Sequence, residues 1–333
     1  MGKKKRISVE DRLAVLQQLA ADTNSVDELT SAVVAGLGDA SNLMVELAAR
    51  LIVDREIIAP EQTLIDAFDR FCANNGETDK ACRAKVPLVE AMLHRDVDQP
   101  DFYLRGMKYV QAEPQWRGPG GGGPPTDSAA HLRGLCAHGL IRSHVASPAS
   151  TMLALVDLLN DSQPQSRAHA ARAISLMNSP ASVPLLRMKV LTGDPAPEVQ
   201  GECFRGMLHS PNQESIDFVA GYLDGDPDVA IEAATALGES HQPAAVKALI
   251  AAVAKCSPEL VEAFYVSIGL SRQPDGLEFL LQKIRDNSLH ACLAIQSMAP
   301  ARFYPGITEQ VEAAVHQADD ATVSRTFQRC FVD

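Results

Sequence analysis

Two histidines come nearest to a chemical site in this sequence. His131 and His138 are seven residues apart in a stretch with helical apolar spacing. Seven residues are about two helical turns, so both imidazoles are predicted on one helix face. Imidazoles bind metals and move protons, but a zinc site needs at least three protein ligands and the sequence assigns no third one here. We therefore predict no metal and treat both histidines as candidate binding residues.

The cysteines give no chemical motif either. The seven cysteines are far apart, no two form a CxxC pair, and most lie in apolar helical stretches. That pattern is typical of reduced thiols packed in a core. No signal-peptide-like apolar segment follows the basic start, and no apolar run approaches the ~18 residues of a membrane span. We predict a cytoplasmic protein without cofactor or membrane span.

A Gly- and Pro-rich insertion occupies residues 113–127 and contains the run GPGGGGPPTD. Such glycine density predicts a mobile or sharply folded loop without a regular element. It lacks the GxxxxGK[ST] pattern and no strand precedes it, so we exclude a phosphate-binding loop. The insertion contains Trp116, the only tryptophan of the chain, and Arg117, two residue types favoured at binding hot spots. Either the two form a recognition loop, or Trp116 pins the insertion to the fold and Arg117 is solvated.

The elements that must position these residues repeat along the chain. Four prolines recur at intervals of 33, 30 and 31 residues, namely Pro164, Pro197, Pro227 and Pro258. Each is followed by a helical apolar pattern, and a period of this size indicates an array of stacked supersecondary units. The clearest units span residues 151–183, 184–216, 217–246 and 247–277. Each is predicted to be two helices joined by a short turn.

Polar residues in the turns explain where the second helices begin. Asp226 and Ser257 are predicted helix N-caps, each followed by a proline at the first helical position, where its missing N–H costs nothing. Thr126 or Asp127 is predicted to cap the helix after the insertion. Three further aspartates belong to the turns and not to a catalytic dyad: Asp161, Asp194 and Asp224.

The same plan extends over most of the chain. We predict about eight helical pairs between residues 9 and 333, a leading helix near residues 9–20, and a disordered basic tail at residues 1–8. Hydrophobic residues make up 46% of the sequence and aromatic residues only 5%, so the core is built mainly from Ala, Leu, Val and Ile. Alanine-rich faces suit closely packed helices.

The most regular unit resembles a HEAT repeat of the short, phycobilin-lyase-type class. The residues that carry the resemblance are DPDV at 226–229, AATALG at 233–238 and PAAV at 243–246. The resemblance is good over residues 151–277 and implies a right-handed, armadillo-like α-solenoid whose second helices line a concave surface. HEAT proteins often carry an Asp–Arg ladder; here Asp161 precedes Arg167 by six residues, but the matching later positions are Gln200 and Ala230.

Net charge and the absence of catalytic motifs in the sequence favour some functions of such a fold over others. The formal net charge is −12, and about −16 without the basic tail, which disfavours nucleic-acid binding. We predict a non-catalytic scaffold that binds a protein or peptide in its groove. The resemblance leaves two alternatives: a lyase or chaperone-like subunit of the phycobilin-lyase type, and a HEAT-fold DNA glycosylase. None of the nine histidines is followed directly by a glutamate. This argues against the HEAT-type di-iron hydroxylases, which rely on His-Glu pairs.

Overall fold

The structure is a computed structural model that describes residues 8–22, 26–73, 76–115 and 123–332. Its contacts group into two compact units, Met1–Ala173 and Ile174–Asp333, which are described separately. The predicted basic tail lies almost entirely outside the described residues. Ser8 is described, and its hydroxyl accepts the Asp11 N–H at 3.0 Å as the N-cap of the first helix. The prediction of one continuous solenoid over residues 9–333 stays a prediction.

The first unit consists of helices and one two-stranded sheet. Its elements are α1 (Val9–Ala21), α2 (Val26–Leu37), α3 (Asn42–Asp54), α4 (Glu61–Cys72), a 3-10 turn (Lys80–Cys82), α5 (Lys85–His94), α6 (Pro100–Met107), β1 (Ala112–Gln115), β2 (Gly123–Asp127), α7 (Ala130–Arg142) and α8 (Pro148–Leu158). Helix α9 (Pro164–Leu176) begins in this unit and ends in the next. Within the first unit, α3, α5 and α7 pack side by side, and α2 packs on α4.

The second unit is built from helices throughout. Its elements are α10 (Ser182–Thr192), α11 (Pro197–Met207), α12 (Gln213–Ala220), α13 (Pro227–Glu239), α14 (Pro243–Val253), α15 (Val261–Leu270), α16 (Pro274–Arg285), α17 (Ala291–Met298), a 3-10 turn (Ala299–Ala301), α18 (Ile307–Ala318), α19 (Ala321–Phe327) and a π-helical turn (Gln328–Val332). Helices α11, α13, α15, α17 and α19 stack in that order; we call them layer B. Helices α12, α14, α16 and α18 stack as layer A.

The predicted all-α solenoid class is confirmed. The described residues form 19 α-helices that pack in sequential pairs, and within each unit several helices also contact the helix two places along the chain. Eight such pairs have extensive contacts in the described part of the chain, in agreement with the prediction of about eight, and α1 is the predicted leading helix. No helix among these residues has the length and apolar character needed to cross a membrane.

Proline and aspartate begin the second helices largely as predicted. Helices α9, α11 and α13 start at Pro164, Pro197 and Pro227, and the Asp226 carboxylate accepts the N–H groups of the first turn of α13. Asp161 and Asp194 each accept the N–H two residues on, at 2.8 and 3.0 Å, and Asp224 lies in its turn.

The cap predicted at Ser257 is wrong. Its hydroxyl donates to the Glu259 carboxylate at 3.2 Å instead of accepting a backbone N–H. The chain makes a further turn after Pro258, and α15 begins only at Val261. This proline therefore lies outside the helix that its spacing predicted it would begin.

Glycine sets the close spacing of layer B. A Cβ at Gly238 of α13 would clash with the carbonyl oxygen of Ser267 on α15. One repeat later, a Cβ at Gly269 of α15 would clash with the carbonyl oxygen of Ser297 on α17. Adjacent layer B helices therefore approach backbone to backbone at these two points, which only glycine permits.

Left-handed residues end the second helices and turn the chain back. The residue just beyond the end of a second helix has a φ of about 50° at five places: Glu56, Asp96, Asn178, His241 and Arg272. None of them is glycine, although this conformation costs an L-residue roughly 1–2 kcal/mol. The geometry of the repeat therefore imposes the left-handed conformation at this position, whereas the type of residue there differs from turn to turn.

The insertion contains regular structure, contrary to the prediction of a loop without a regular element. Strands β1 and β2 pair antiparallel, with Ala112 opposite Asp127 and Glu113 opposite Thr126, and the register shifts between Glu113 and Gln115. Pro114 lies at that shift, where a residue without an N–H is tolerated, and extended backbone suits proline. The predicted side-chain cap of α7 is also wrong, since Ala129 takes the N-cap position and Thr126 and Asp127 lie in the strand.

Candidate functional site

A buried ion pair anchors the base of the hairpin formed by β1 and β2. The side chains of Asp79 and Lys85 are both inaccessible, with Nζ 2.9 Å from Oδ2. The Asp79 carboxylate also accepts the N–H groups of Ala84 and Lys85, at 2.8 and 3.1 Å. Lys85 Nζ lies 5.3 Å from the centroid of the Tyr109 ring. Each charge therefore has a partner, as burial demands.

Polar side chains of the hairpin continue this network. Gln111 donates from Nε2 to the Asp79 carbonyl oxygen at 2.9 Å, and its Oε1 accepts the Tyr109 hydroxyl at 2.9 Å. The Glu113 carboxylate accepts the Ser128 hydroxyl at 2.9 Å, and Gln111 together with the nearby Ala81 N–H also donates to it. Burial has the largest single effect and raises the pKa of Glu113, but these hydrogen bonds together hold it below its usual range. The hairpin is thus fastened to the turn that precedes α5.

Arg133 on α7 joins two successive repeats. Its side chain is 2% exposed, with Nη1 2.7 Å from Asp127 Oδ2 and Nη2 2.8 Å from Asp161 Oδ1. Nη1 also donates to the Tyr109 carbonyl oxygen at 2.9 Å. Nε lies 2.8 Å from Asp161 Oδ2 but is not aligned for a hydrogen bond. The Arg133 guanidinium thus connects the end of β2, which precedes α7, to the turn between α8 and α9.

The Asp–Arg ladder, which the sequence predicts to be broken at Gln200 and Ala230, has further members on the N-terminal side of Asp161. Between the N-terminus and Arg167, an aspartate precedes a cationic side chain by six residues at three places: Asp79 and Lys85, Asp127 and Arg133, Asp161 and Arg167. In the first two, the cation binds its own aspartate; Arg167 Nη1 donates to the Asp161 carbonyl oxygen at 2.8 Å. This six-residue spacing is visible in the sequence on the N-terminal side of Asp161, whereas the prediction concerned only the later positions Gln200 and Ala230.

The predicted histidine pair gains a third member in the structure. His131 and His138 lie on one face of α7, as predicted, and the ring of His169 on α9 lies 5.5 Å from each of their rings. His138 Nε2 is 3.3 Å from His169 Nδ1. Gly134 makes the room, because a Cβ there would clash with the His169 ring. No three His, Cys, Asp or Glu side chains among the described residues are placed to hold a metal ion.

The cysteines are free thiols, and the pKa values of several are raised. All seven lie in the described part of the chain and none forms a disulfide. Burial raises the pKa of Cys82 to about 11 and that of Cys72 to about 12, against the opposing charge of Lys85. Burial also raises the pKa of Cys136 and takes that of Cys203 to about 12. These thiols are protonated at neutral pH, which suits packing rather than nucleophilic chemistry.

The outward face of layer B is acidic at its N-terminal end. We call this surface, on α11, α13 and α15, the acidic face. Its charged residues are Glu198, Glu202, Arg205, Asp228, Glu232, Glu239 and Glu262, which are six carboxylates and one guanidinium. Two apolar side chains are exposed among them, Ile231 at 37% and Val266 at 41%.

Arg205 organises this face without neutralising it. Its guanidinium lies 3.2 Å from Glu232, 2.8 Å from Glu239 and 3.5 Å from Glu202. Burial raises the pKa of Glu232; Arg205 lowers it, while Glu202 and Glu198 raise it further. Three further carboxylates of this face, those of Glu198, Asp228 and Glu262, form no salt bridge with Arg205, and they give the surface a negative potential that attracts cationic groups.

The four residues predicted to bind a partner divide into two pairs. His131 and His138 share the face described above, together with His169, which the sequence interpretation did not include. Trp116 and Arg117 lie outside the described residues, between the two strands. The acidic face was not predicted at all, although its glutamates recur at helical spacing on successive second helices.

Comparison with known families supports the repeat assignment. A family model of HEAT repeats matches residues 188–268, a range that includes α11, α13 and nearly all of α15. This stretch consists of HEAT repeats; membership of the phycobilin-lyase-type class stays a prediction. A search among curated proteins finds no match.

Proposed function

We propose that this chain is a non-catalytic interaction scaffold that binds a protein or peptide partner on the acidic face. HEAT-repeat proteins are generally protein-interaction scaffolds, and the acidic face lies within the residues that match the HEAT-repeat family. The observation that carries the proposal is the combination of surplus carboxylates with exposed apolar side chains on one layer. The seven free thiols favour a reducing compartment, and we place its action in the cytoplasm.

The chemistry of the face specifies the partner. Six carboxylates against one guanidinium attract Lys and Arg side chains, while Ile231 and Val266 offer apolar contacts between the charges. The partner is therefore a basic segment with apolar residues among its cations. Nucleic acid is disfavoured, because its phosphates would meet carboxylates of the same sign.

The histidine face and the hairpin supply further contacts in this proposal. His131 and His138 present imidazoles on α7, and the buried network fixes the base of the hairpin that carries Trp116 and Arg117. We propose that these four residues contribute to partner binding.

Photo-cross-linking from two positions tests the proposal. A photoreactive residue at Val266 on layer B should capture a reproducible partner in cells, whereas one at Leu191 on α10, also exposed, should not. Capture from Val266 should fall as salt increases, since exposed charges are screened. Capture of the same proteins from both positions, or capture indifferent to salt, would refute the proposal.

A matched pair of charge-reversal variants gives the control. Glu198→Lys with Glu262→Lys alters two first-turn glutamates of layer B; Glu214→Lys with Glu309→Lys alters two first-turn glutamates of layer A. Net charge changes equally in both variants. At about 0.5–1 kcal/mol per reversed charge, the layer B variant should bind its partner roughly 5- to 30-fold more weakly. The layer A variant should bind as the wild type does.

A further inference from the structure

An apolar cavity lies at the turn edge of the second unit, apart from the acidic face. Its volume is about 380 Å³, near the lower end of the range for small-ligand sites. Its apolar lining comes from α15, α16, the end of α17 with the following 3-10 turn, and the start of α18. The lining side chains are Ile268, Leu277, Leu280, Met298, Ala301 and Ile307.

One cation, Arg272, lines this cavity. Its guanidinium lies 5.1 Å from the centroid of the Tyr304 ring, another lining residue. No salt bridge joins Arg272 to a carboxylate in the described part of the chain. The acidic side chains of the next helix, Asp275 and Glu278, pair instead with Lys247 and Arg285, at 3.7 and 2.7 Å.

The amide nitrogen of Gln273, the next residue of the lining, is already engaged. Gln273 donates from Nε2 to the His241 carbonyl oxygen at 2.7 Å. The lining therefore offers a ligand an apolar volume and one charged group, the Arg272 guanidinium, whose planar fork matches a carboxylate. A phosphate, with its higher charge, would find one cation only. A neutral apolar molecule would leave that cation unused.

We propose that this cavity binds an apolar monocarboxylate, with its hydrocarbon part against the aliphatic lining and its carboxylate on Arg272. The same chemistry occurs in two sources: a free medium-chain or aromatic acid, and the C-terminal residue of a peptide that ends in an apolar side chain. The inference does not depend on the proposed partner binding, because the cavity and the acidic face share no residues.

Because Arg272 has a left-handed backbone conformation, its side chain can be removed by a glycine substitution without backbone strain. Its φ is 55°, which glycine adopts without strain, so Arg272→Gly removes the cation while favouring the native turn. Glu56→Gly makes the same backbone change at a turn of the first unit, where φ is 52°, and is the control. Ala301→Leu fills the cavity and leaves Arg272 in place.

Calorimetric titration with octanoate on the full chain tests the proposal. Octanoate should bind the wild type and Glu56→Gly equally, and octanol should bind at least about tenfold more weakly than octanoate, because it forms no charge-assisted hydrogen bond. Arg272→Gly should lose octanoate affinity at least about tenfold without a lower Tm, and Ala301→Leu should lose it as well. Unchanged binding in Arg272→Gly, or no binding to the wild type, would overturn the proposal.

Two peptide arms identify the source. A hexapeptide ending in leucine with a free carboxylate is compared with its C-terminal amide. If the peptide with the free carboxylate competes with octanoate and its amide does not, the site also accepts a peptide C-terminus. If octanoate binds and neither peptide competes, the site is specific for small carboxylic acids. The Glu198→Lys/Glu262→Lys variant should bind octanoate normally, so failure of the acidic-face proposal and failure of this one are distinguishable.

Discussion

Replacing Lys85 by methionine is expected to destabilise the first unit by about 3–5 kcal/mol, because it leaves the buried Asp79 carboxylate without its cation. Methionine has a similar length and is uncharged, so little packing is lost. Urea unfolding followed by circular dichroism measures the loss, and hydrogen exchange assigns it to the first unit. Adding Asp79→Asn to Lys85→Met removes both charges and should recover part of the stability.

The control for this prediction is an exposed pair of the same residue types. Lys247 Nζ lies 3.7 Å from Asp275 Oδ2, and the side chains are 70% and 54% exposed. Lys247→Met should change the free energy of unfolding by no more than about 1 kcal/mol. Equal effects of Lys85→Met and Lys247→Met would contradict the anchoring role of the buried pair.

Replacing Arg133 by methionine should also cost about 3–5 kcal/mol, because Asp127 and Asp161 would then be left as mostly buried carboxylates without their shared guanidinium. The loss should appear in hydrogen exchange as faster exchange in β2 and in the turn between α8 and α9, since Arg133 holds both. Thermal unfolding and exchange mass spectrometry measure the two effects.

A second arginine of the first unit serves as the comparison. Arg105 lies 3.3 Å from Asp69, and both side chains are about half exposed, at 53% and 52%. Arg105→Met should cost no more than about 1 kcal/mol. If Arg133→Met proved as mild as Arg105→Met, the ladder would be an incidental contact and not a structural link between repeats.

The ladder also illustrates what the sequence could predict. Helix pairs follow from periodic apolar residues and from Pro197 and Pro227 at helix starts, which are local signals. The six-residue spacing of Asp79 and Lys85 is an equally local signal, but the prediction concerned only Asp161 and the positions after it. Ser257 misled because its hydroxyl can engage either the backbone or Glu259, and the sequence does not decide between them.

Contacts between repeats were harder to predict, because they depend on how neighbouring helices align. His169 reaches His131 and His138 only because Gly134 removes a side chain between them. The hairpin was missed for a different reason. The glycines of the insertion obscured two short strands, whose pairing rests on the buried network around Gln111 as much as on strand propensity.

The acidic face was predictable in its parts but not as a surface. Glu198, Glu232 and Glu262 occur one on each of three successive second helices, yet only the stacking of α11, α13 and α15 places them on one side. Net charge alone disfavoured nucleic-acid binding without indicating a partner. The structure adds that many of these carboxylates lie together on layer B, and this location is the basis for proposing a basic partner.

Peptide display selection on the purified chain tests the central claim most directly. The wild type and Glu214→Lys/Glu309→Lys are predicted to enrich the same peptides, with Lys or Arg flanking apolar residues, and Glu198→Lys/Glu262→Lys is predicted to lose them. Enriched peptides should bind more weakly at higher salt. Partner binding at the acidic face would be contradicted if the wild type enriched acidic peptides. It would also be contradicted if Glu198→Lys/Glu262→Lys enriched the same peptides as the wild type.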